Sequence, residues 1–301
     1  MPSLPKTVHR VIIGDSRKMK EIENEGVHFV VTSPPYYNAP FDYKGYFAKY
    51  TEFLSLMRDA AKEIRRTLQY GRIVCINCDD MLVDGRKFPI IADVTRVFVE
   101  EGFIYRDSLI WKKPDGFIRK SRRSGVVIQH PYPMYYYPDN VVEAVLIFQN
   151  GEFDYRSVNT RIREMSRVDI NEYLRDKWYL NVWEITNVLP LDRIEKNVAA
   201  FPDELPYRLI KLFSFVGETV LDPFLGSGTT TKVAKELGRN SIGYEIDEHL
   251  IPIIKAKVSQ RLKKKHHKLL ENDLSMKETE EAPSYELSII KREKQTTLVS
   301  E

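Results

Sequence analysis

The 301-residue sequence predicts an α/β fold whose central sheet is twisted and mostly parallel, and two observations lead to this class. Short apolar segments that end in polar or glycine-containing turns alternate with longer segments whose apolar residues recur at helical spacing. Neighbouring parallel strands need a crossover connection, which a helix usually supplies. The alternation stops at Lys112 and resumes after Leu189, so the pattern predicts one sheet interrupted by an inserted region.

The predicted elements follow one another in the order that such a sheet requires. In the first half, the predicted elements are strands at 11–13 and 27–31, a helix over 53–68, a strand at 73–76, a helix around 94–98 and a strand at 103–111. In the second half, they are a helix over 203–215, a strand at 219–221, a helix over 229–237, a strand at 241–245 and a helix ending near 262. Glycines at the predicted breaks support these boundaries.

The chain therefore divides into four predicted parts, namely 1–112, 113–189, 190–262 and 263–301. The first and third form the two halves of the α/β domain. The second is rich in proline, tyrosine and arginine and contains one clear strand, at 144–148. It is predicted to be either a ligand-recognition insert or an irregular lid over the sheet. The fourth contains mainly lysine and glutamate and few large apolar residues, and it is predicted to be a charged tail.

Composition predicts a globular protein of the cytoplasm. No apolar run approaches the roughly 20 residues that a membrane span needs, and the first ten residues lack the apolar core of a signal peptide. Cys75 and Cys78 lie in an apolar run, without further thiol or imidazole ligands nearby. We therefore interpret them as small buried residues of a strand, rather than as metal or redox groups, and predict no metal site.

A cluster of cations opens the inserted region, although the net charge of the chain is only +3. Its members are Lys112, Lys113, Arg119, Lys120, Arg122 and Arg123, and Asp115 is the one acid among them. Aromatic residues accompany them, at Phe117, Tyr132, Tyr135, Tyr136 and Tyr137. Cations that contact phosphates, with aromatic residues beside them, are typical of a DNA-contacting segment. Taken alone, the cluster is equally consistent with a solvated loop.

A glycine-rich turn follows the predicted strand at 219–221, in the run Asp222-Pro223-Phe224-Leu225-Gly226-Ser227-Gly228-Thr229-Thr230. Glycines in a turn between a strand and a helix let the backbone approach a nucleotide-type ligand closely. The turn lacks the Gly-Lys-Ser/Thr ending of a phosphate-binding P-loop. Glu245, nineteen residues after Gly226, ends the next strand, where a carboxylate can accept both ribose hydroxyls.

A second motif, Thr32-Ser33-Pro34-Pro35-Tyr36-Tyr37, follows the predicted strand at 27–31. The Ser33 hydroxyl and the Pro34 carbonyl are acceptors suited to an amine, and the prolines fix the direction of the turn. Tyr36 supplies an aromatic face on which a base could stack. As an isolated tetrapeptide, Ser-Pro-Pro-Tyr is more simply an ordinary proline turn with a packed tyrosine; the glycine-rich motif is what favours a catalytic role.

Together, the two motifs resemble those of S-adenosylmethionine-dependent DNA amino-methyltransferases, and their order is that of the permuted beta group. The resemblance implies S-adenosylmethionine as cofactor and Ser33, Pro34, Pro35 and Tyr36 as catalytic residues. It implies that Asp15 binds the adenine amino group and that Asp222, Gly226 and Gly228 meet the methionine part. The remaining implied cofactor contacts are Phe201, Pro202, Pro223, Phe224, Ser227, Thr229 and Glu245.

The same resemblance indicates the target of the methyl group. Serine at position 33, where aspartate is the common alternative, is typical of enzymes that methylate cytosine N4 in double-stranded DNA, by base flipping and direct displacement. Adenine N6 is the alternative, followed by an RNA base or a protein amide. A cognate restriction endonuclease is a candidate partner, and the sequence leaves the oligomeric state and the recognised DNA site open. If the strands before Ser33 and Asp222 are neighbours, both motifs lie in one cleft.

Overall fold

The computed structural model describes residues 5–38, 45–114, 125–136, 138–186, 200–262 and 283–292. The strands are β1 (Thr7–Ile13), β2 (Val27–Thr32), β3 (Leu68–Cys78), β4 (Met81–Val83), β5 (Arg86–Phe88), β6 (Ile104–Lys112), β7 (Val142–Gln149), β8 (Val182–Glu184), β9 (Thr219–Asp222), β10 (Asn240–Glu245) and β11 (Tyr285–Lys291). The helices are α1 (Tyr50–Thr67), α2 (Ile90–Glu100), α3 (Gly125–Gln129), α4 (Thr160–Met165), α5 (Ile170–Arg175), α6 (Glu204–Phe213), α7 (Thr229–Glu236) and α8 (Ile251–Ser259).

Nine of these strands form one sheet, in the order β11-β1-β10-β9-β2-β3-β7-β6-β8. All adjacent pairs are parallel except those on either side of β7, which runs antiparallel to β3 and to β6. The short strands β4 and β5 form a separate hairpin. The predicted α/β class with a mostly parallel sheet is confirmed.

The central strands are buried on both faces, because helices cover each side of the sheet. In β2, Val30 belongs to the apolar core shared with α1 and α2, whereas Phe29 and Val31 belong to the core shared with α6 and α7. Apolar residues at consecutive positions are therefore needed, as expected for strands of a parallel sheet. Cys75 and Cys78 lie in β3 and are buried, and burial raises the pKa of both thiols.

The strands that precede the two motifs are neighbours. β2 pairs with β9 in parallel, with Phe29 opposite Val220 and Val30 opposite Leu221. Parallel strands end at the same edge, so the turn after Thr32 and the turn after Asp222 both lie at the carboxyl edge of the sheet, where open α/β sheets bind ligands. The predicted adjacency of the two motifs is confirmed.

Two predicted parts of the chain contribute more to the sheet than their composition indicates. The range 113–189 supplies β7, which lies between β3 and β6, and β8 at the sheet edge. The range 263–301 supplies β11, which pairs with β1 along its whole length. The prediction that residues 263–301 form a charged tail is wrong for β11, an edge strand whose residues are half-buried or exposed and none fully buried.

No helix within the ranges described above is both long and apolar enough to cross a membrane.

Candidate active site

A cavity of about 720 Å³ opens at the carboxyl edge of β1, β2, β9 and β10. Turns that follow these four strands form its walls. Predicted site residues from both motifs and from outside them line it together, namely Asp15, Ser33, Pro34, Pro35, Tyr36, Phe201, Pro223, Phe224, Gly226, Ser227, Thr229 and Glu245. The structure therefore combines the proline turn and the glycine turn in one site.

The glycine turn has a backbone that other residues rarely adopt. Gly226 and Gly228 have φ angles of 55° and 91°, in the left-handed region that favours glycine. The N–H of Gly226 donates to Oε2 of Glu245 at 2.8 Å, and the N–H of Asp247 donates to Oε1 at 2.9 Å. Each carboxylate oxygen retains further acceptor capacity toward the cavity, and burial raises the pKa of Glu245.

Asp15 follows β1 beside Glu245, since Ile13 pairs with Glu245 and the N–H of Gly14 donates to the carbonyl of Glu245 at 2.8 Å. Its Oδ1 accepts from the N–H of Arg17 at 2.9 Å, and its Oδ2 accepts from the Arg17 guanidinium at 2.8 Å. Burial raises the pKa of Asp15, but the hydrogen bonds and charge of Arg17 outweigh it, so the net direction is downward. The Asp15 carboxylate is therefore ionised and is a hydrogen-bond acceptor in the turn after β1.

Asp222 is positioned differently from what the resemblance implies. Its side chain is buried and does not line the cavity, and Gly228 and Pro202 also lie outside the lining. Oδ1 accepts from the hydroxyl of Thr32 at 2.6 Å, and Oδ2 accepts from the hydroxyl of Thr230, also at 2.6 Å. The carboxylate thus connects the ends of β2 and β9 to α7 instead of lining the cavity. Burial raises its pKa to about 6.

The Ser33 hydroxyl is the exceptional polar group of the site. Its Oγ is buried and has no hydrogen-bond partner among the described residues, although the side chain lines the cavity. A buried polar atom without a partner is costly, and native structures tolerate few of them. The hydroxyl is therefore available to a ligand that enters the cavity.

Tyr36 lies at the far end of the proline turn and is largely buried. Its hydroxyl donates to Oε2 of Glu143, at the start of β7, at 2.8 Å. Tyr36 thereby joins the proline turn to a strand that is distant in the sequence. The hydrogen bond fixes the hydroxyl end of Tyr36, and the side chain also forms part of the cavity wall.

A family model described as DNA methylase matches residues 27–256 of the chain, which include both motifs. The chain belongs to this family, whose members methylate N6 or N4 amines.

Two curated methyltransferases and one solved structure are similar to the chain over most of its length. The methyltransferase is 37% identical to the type II methyltransferase M.MjaI of Methanocaldococcus jannaschii, over 86% of this chain and 93% of that protein. It is 30% identical to M.MthZI of Methanothermobacter thermautotrophicus, over 86% and 78%. The chain is 27% identical to TTHA0409 of Thermus thermophilus, whose structure was solved with S-adenosyl-L-methionine. The two structures superpose with a TM-score of 0.70, over 94% of this chain and 98% of TTHA0409.

The methyltransferase acts on DNA with S-adenosylmethionine as methyl donor, and the cavity fits that cofactor. The volume of about 720 Å³ is within the range of small-molecule sites. The left-handed turn at Gly226 exposes backbone for close approach, as nucleotide-binding turns require. Glu245 and Asp15 supply acceptors for the hydroxyl and amino groups of a nucleoside.

The predicted DNA-contacting cations of the methyltransferase are only partly described. Lys113 is 1% exposed and pairs with Glu143, so the prediction that it contacts DNA phosphates is wrong. Lys112, in contrast, is partly exposed and pairs with Glu184. Arg119, Lys120, Arg122 and Arg123 lie outside the described residues. Of the accompanying aromatic residues, Tyr132, Tyr135 and Tyr136 are exposed on the surface, and Phe117 and Tyr137 lie outside the described residues.

Several residues of the site had no predicted role. Thr32 and Thr230 hold Asp222, and both belong to the quoted motifs, so the motifs themselves contained the signal. Glu143 and Arg292 reach the site from distant strands, and nothing in their local sequence distinguishes them from solvated charges. Only the sheet order brings Glu143 to Tyr36 and Arg292 to the loop that carries Asp15.

Proposed function

We propose that this methyltransferase transfers a methyl group from S-adenosylmethionine to the exocyclic N4 amine of cytosine in double-stranded DNA. The observation that carries the proposal is the buried Ser33 hydroxyl, without a partner among the described residues, in the cavity that the glycine turn also lines. Serine in this position, rather than aspartate, favours cytosine N4 over adenine N6.

The chemical difficulty is the amine, because its lone pair is delocalised into the base. The Ser33 hydroxyl and the Pro34 carbonyl can each accept one amine hydrogen and direct the lone pair toward the cofactor side of the cavity. The prolines fix φ and remove donors, so the turn presents acceptors in a set direction. S-adenosylmethionine, when bound, supplies an electrophilic methyl group; the residues contribute positioning and electrostatics, without an enzyme-linked intermediate.

The cofactor assignments follow the cavity walls. We assign the ribose to Glu245, the adenine amino group to Asp15, and the methionine part to the backbone around Gly226 with the hydroxyls of Ser227 and Thr229. Phe201 and Phe224 line the same cavity and would provide apolar contacts. Asp222 stabilises this arrangement from behind, by its bonds to Thr32 and Thr230.

The substrate assignment requires that the base leaves the duplex, because its amine is inaccessible there. Tyr36 offers a ring at the cavity wall for stacking, and the cations of 112–123 other than Lys113 are proposed to contact the DNA backbone. Relatives of the chain are named type II methyltransferases. A cognate restriction endonuclease is therefore the proposed cellular counterpart, and the cytoplasm the proposed location.

The test is to incubate the purified chain with unmethylated plasmid DNA and S-adenosylmethionine, then digest the DNA and identify nucleosides by mass spectrometry. N4-methylcytosine is the expected product. N6-methyladenine in its place would overturn the cytosine assignment and leave the family chemistry intact, and an unmodified plasmid that carries many sequence contexts would overturn both. Competition with RNA separates the DNA substrate from an RNA base, and single-molecule sequencing of the product gives the recognised context.

A further inference from the structure

A buried ion pair lies directly behind the proline turn. Lys113, immediately after β6, places Nζ 2.5 Å from Oε1 of Glu143, near the start of β7, and both side chains are 1% exposed. The Lys113 ammonium also lies 5.1 Å from the centre of the Trp111 ring. The N–H of Lys113 donates to the carbonyl of Val141 at 2.9 Å, so the backbone is fixed at the same point.

The second carboxylate oxygen of Glu143 holds the catalytic turn. Oε2 accepts from the Tyr36 hydroxyl at 2.8 Å and from Nδ2 of Asn77, in β3, at 2.7 Å. One carboxylate therefore connects β3, β6 and β7 with the turn that carries Ser33. Because β7 is antiparallel to β3 and to β6, these contacts occur at the carboxyl edge that holds the cavity.

Charge burial of this kind contributes little to stability by itself. Removing two charges from water is costly, and well-packed apolar residues of similar volume often replace a buried pair without loss of stability. The pair instead fixes the orientation of the Glu143 carboxylate. Because Lys113 holds Oε1, Oε2 faces the Tyr36 hydroxyl in a set orientation. Apolar residues at 113 and 143 would remove the oxygen to which the Tyr36 hydroxyl donates.

We propose that the Lys113–Glu143 pair positions the ring of Tyr36 for the target base, so that Glu143 and Lys113 are positioning residues of the methyl transfer. This inference rests on the proposed function, in which Tyr36 is the stacking surface for the extruded base. The two residues also flank the segment 114–142, which includes four of the six predicted DNA-contacting cations. The ion pair thus holds the two ends of that segment next to Tyr36, the residue proposed to stack on the target nucleobase.

The kinetic test is Tyr36→Phe, which keeps the ring and removes the hydroxyl that bonds Glu143. We expect kcat on unmethylated plasmid DNA to fall about ten- to hundredfold, the cost of a small misplacement, with unchanged affinity for S-adenosylmethionine. The matched control is Tyr207→Phe, because Tyr207 donates to Glu172 at 3.0 Å, and Glu172 pairs with Lys211 at 2.7 Å, in an equivalent trio that does not line the cavity. An unchanged kcat in Tyr36→Phe, or an equal loss in the control, overturns the inference.

A spectroscopic test needs no methyl transfer and so separates this inference from the proposed function. The chain is labelled with 3-fluorotyrosine at position 36, and its fluorine resonance is compared between the parent and Glu143→Gln. Because that variant leaves a buried lysine unpaired, Lys113→Met/Glu143→Gln, which removes both charges, is measured beside it. We expect the resonance to shift or broaden in both variants and to stay unchanged in Glu172→Gln. An unchanged resonance in the folded double variant overturns the inference, whereas failure of the parent to methylate DNA overturns only the proposed function.

Discussion

At the scale of single residues, the cavity contains polar groups in two different states. Glu245 already accepts two backbone N–H groups, so its position is fixed before any ligand arrives. Ser33 has no such partner among the described residues, so its hydroxyl can respond to the incoming group. These two states agree with the proposed roles of Glu245 as a cofactor acceptor and of Ser33 as an acceptor for the target amine.

Replacing Ser33 with alanine is expected to lower kcat by about a hundredfold, because one of the two proposed amine acceptors is lost. The affinity for S-adenosylmethionine, measured by calorimetry, should stay within about twofold of the parent value. Removal of a hydroxyl without a partner among the described residues should also leave the fold intact. An equal loss of kcat and of cofactor affinity would contradict the assigned role.

Replacing Glu245 with glutamine is expected to weaken S-adenosylmethionine binding by about tenfold or more, since a charge-assisted acceptor becomes an amide that presents an N–H₂ to one of two backbone donors. Titration of the cofactor by calorimetry measures the effect. Glu286→Gln, at an exposed site that pairs with Lys6, is the control and should bind as the parent does. Undiminished affinity in Glu245→Gln would exclude Glu245 as the ribose acceptor.

At the scale of elements, β11 supports the cofactor wall from the far edge of the sheet. It pairs with β1 from Thr7 to Ile13, and Arg292 follows it. The Arg292 guanidinium donates to the carbonyls of Asp15 and Lys18 and, at 2.7 Å, to Glu21. Glu21 also accepts from the hydroxyl of Tyr244 at 2.9 Å. The loop that carries Asp15 is therefore held by the residue that ends this strand pairing.

Replacing Arg292 with alanine should raise the KM for S-adenosylmethionine about tenfold through the loosened Asp15 loop, while kcat at saturating cofactor stays near the parent value. The comparison is Lys291→Ala, the adjacent residue, whose ammonium pairs with exposed Glu248 on the surface. Steady-state kinetics of both variants measure the split. If kcat falls and the KM for S-adenosylmethionine does not rise, Arg292 acts on the chemical step rather than on the loop that carries Asp15.

At the scale of the whole molecule, Asp222 joins the two halves of the domain. Its carboxylate accepts from Thr32 at the end of β2 and from Thr230 in α7, 190 and 8 residues away in the sequence. The aspartate is fully buried, and its pKa of about 6 lies above the ordinary 3.8. Relative to the unfolded chain, the folded state therefore favours the protonated acid.

The pH dependence of stability follows from this direction. The contribution of Asp222 is fully present below about pH 4, and it is lost as the pH rises through about 6, because the folded state then holds a buried charge. The change is about 3 kcal/mol, from the difference between 3.8 and about 6. Urea unfolding of the parent and of Asp222→Asn across pH 4 to 8 should show the parent losing that amount relative to the variant. A constant difference between the two would contradict the shifted pKa.

The sequence contained enough to predict the fold class and the walls of the cavity. Helical and strand periodicities depend on local spacing, and motifs at strand ends have a fixed place once a parallel sheet is assumed. The inserted region was harder, because β7 is antiparallel and follows a segment without periodicity. Strand β11 was missed because a half-buried edge strand with charged neighbours has the composition of a tail.

The sequence by itself determined an α/β methyltransferase fold with a glycine turn and a proline turn at strand ends, since both turns are runs of adjacent residues. Only the tertiary structure decided which polar groups face the cavity. Asp222 turns inward to Thr32 and Thr230, and Lys113 is buried against Glu143 instead of exposed to DNA. Ser33 lines the cavity with a hydroxyl that no described residue bonds. These outcomes depend on sheet order and burial, which bring together residues far apart in the chain. The sequence around each residue gives no sign of such contacts.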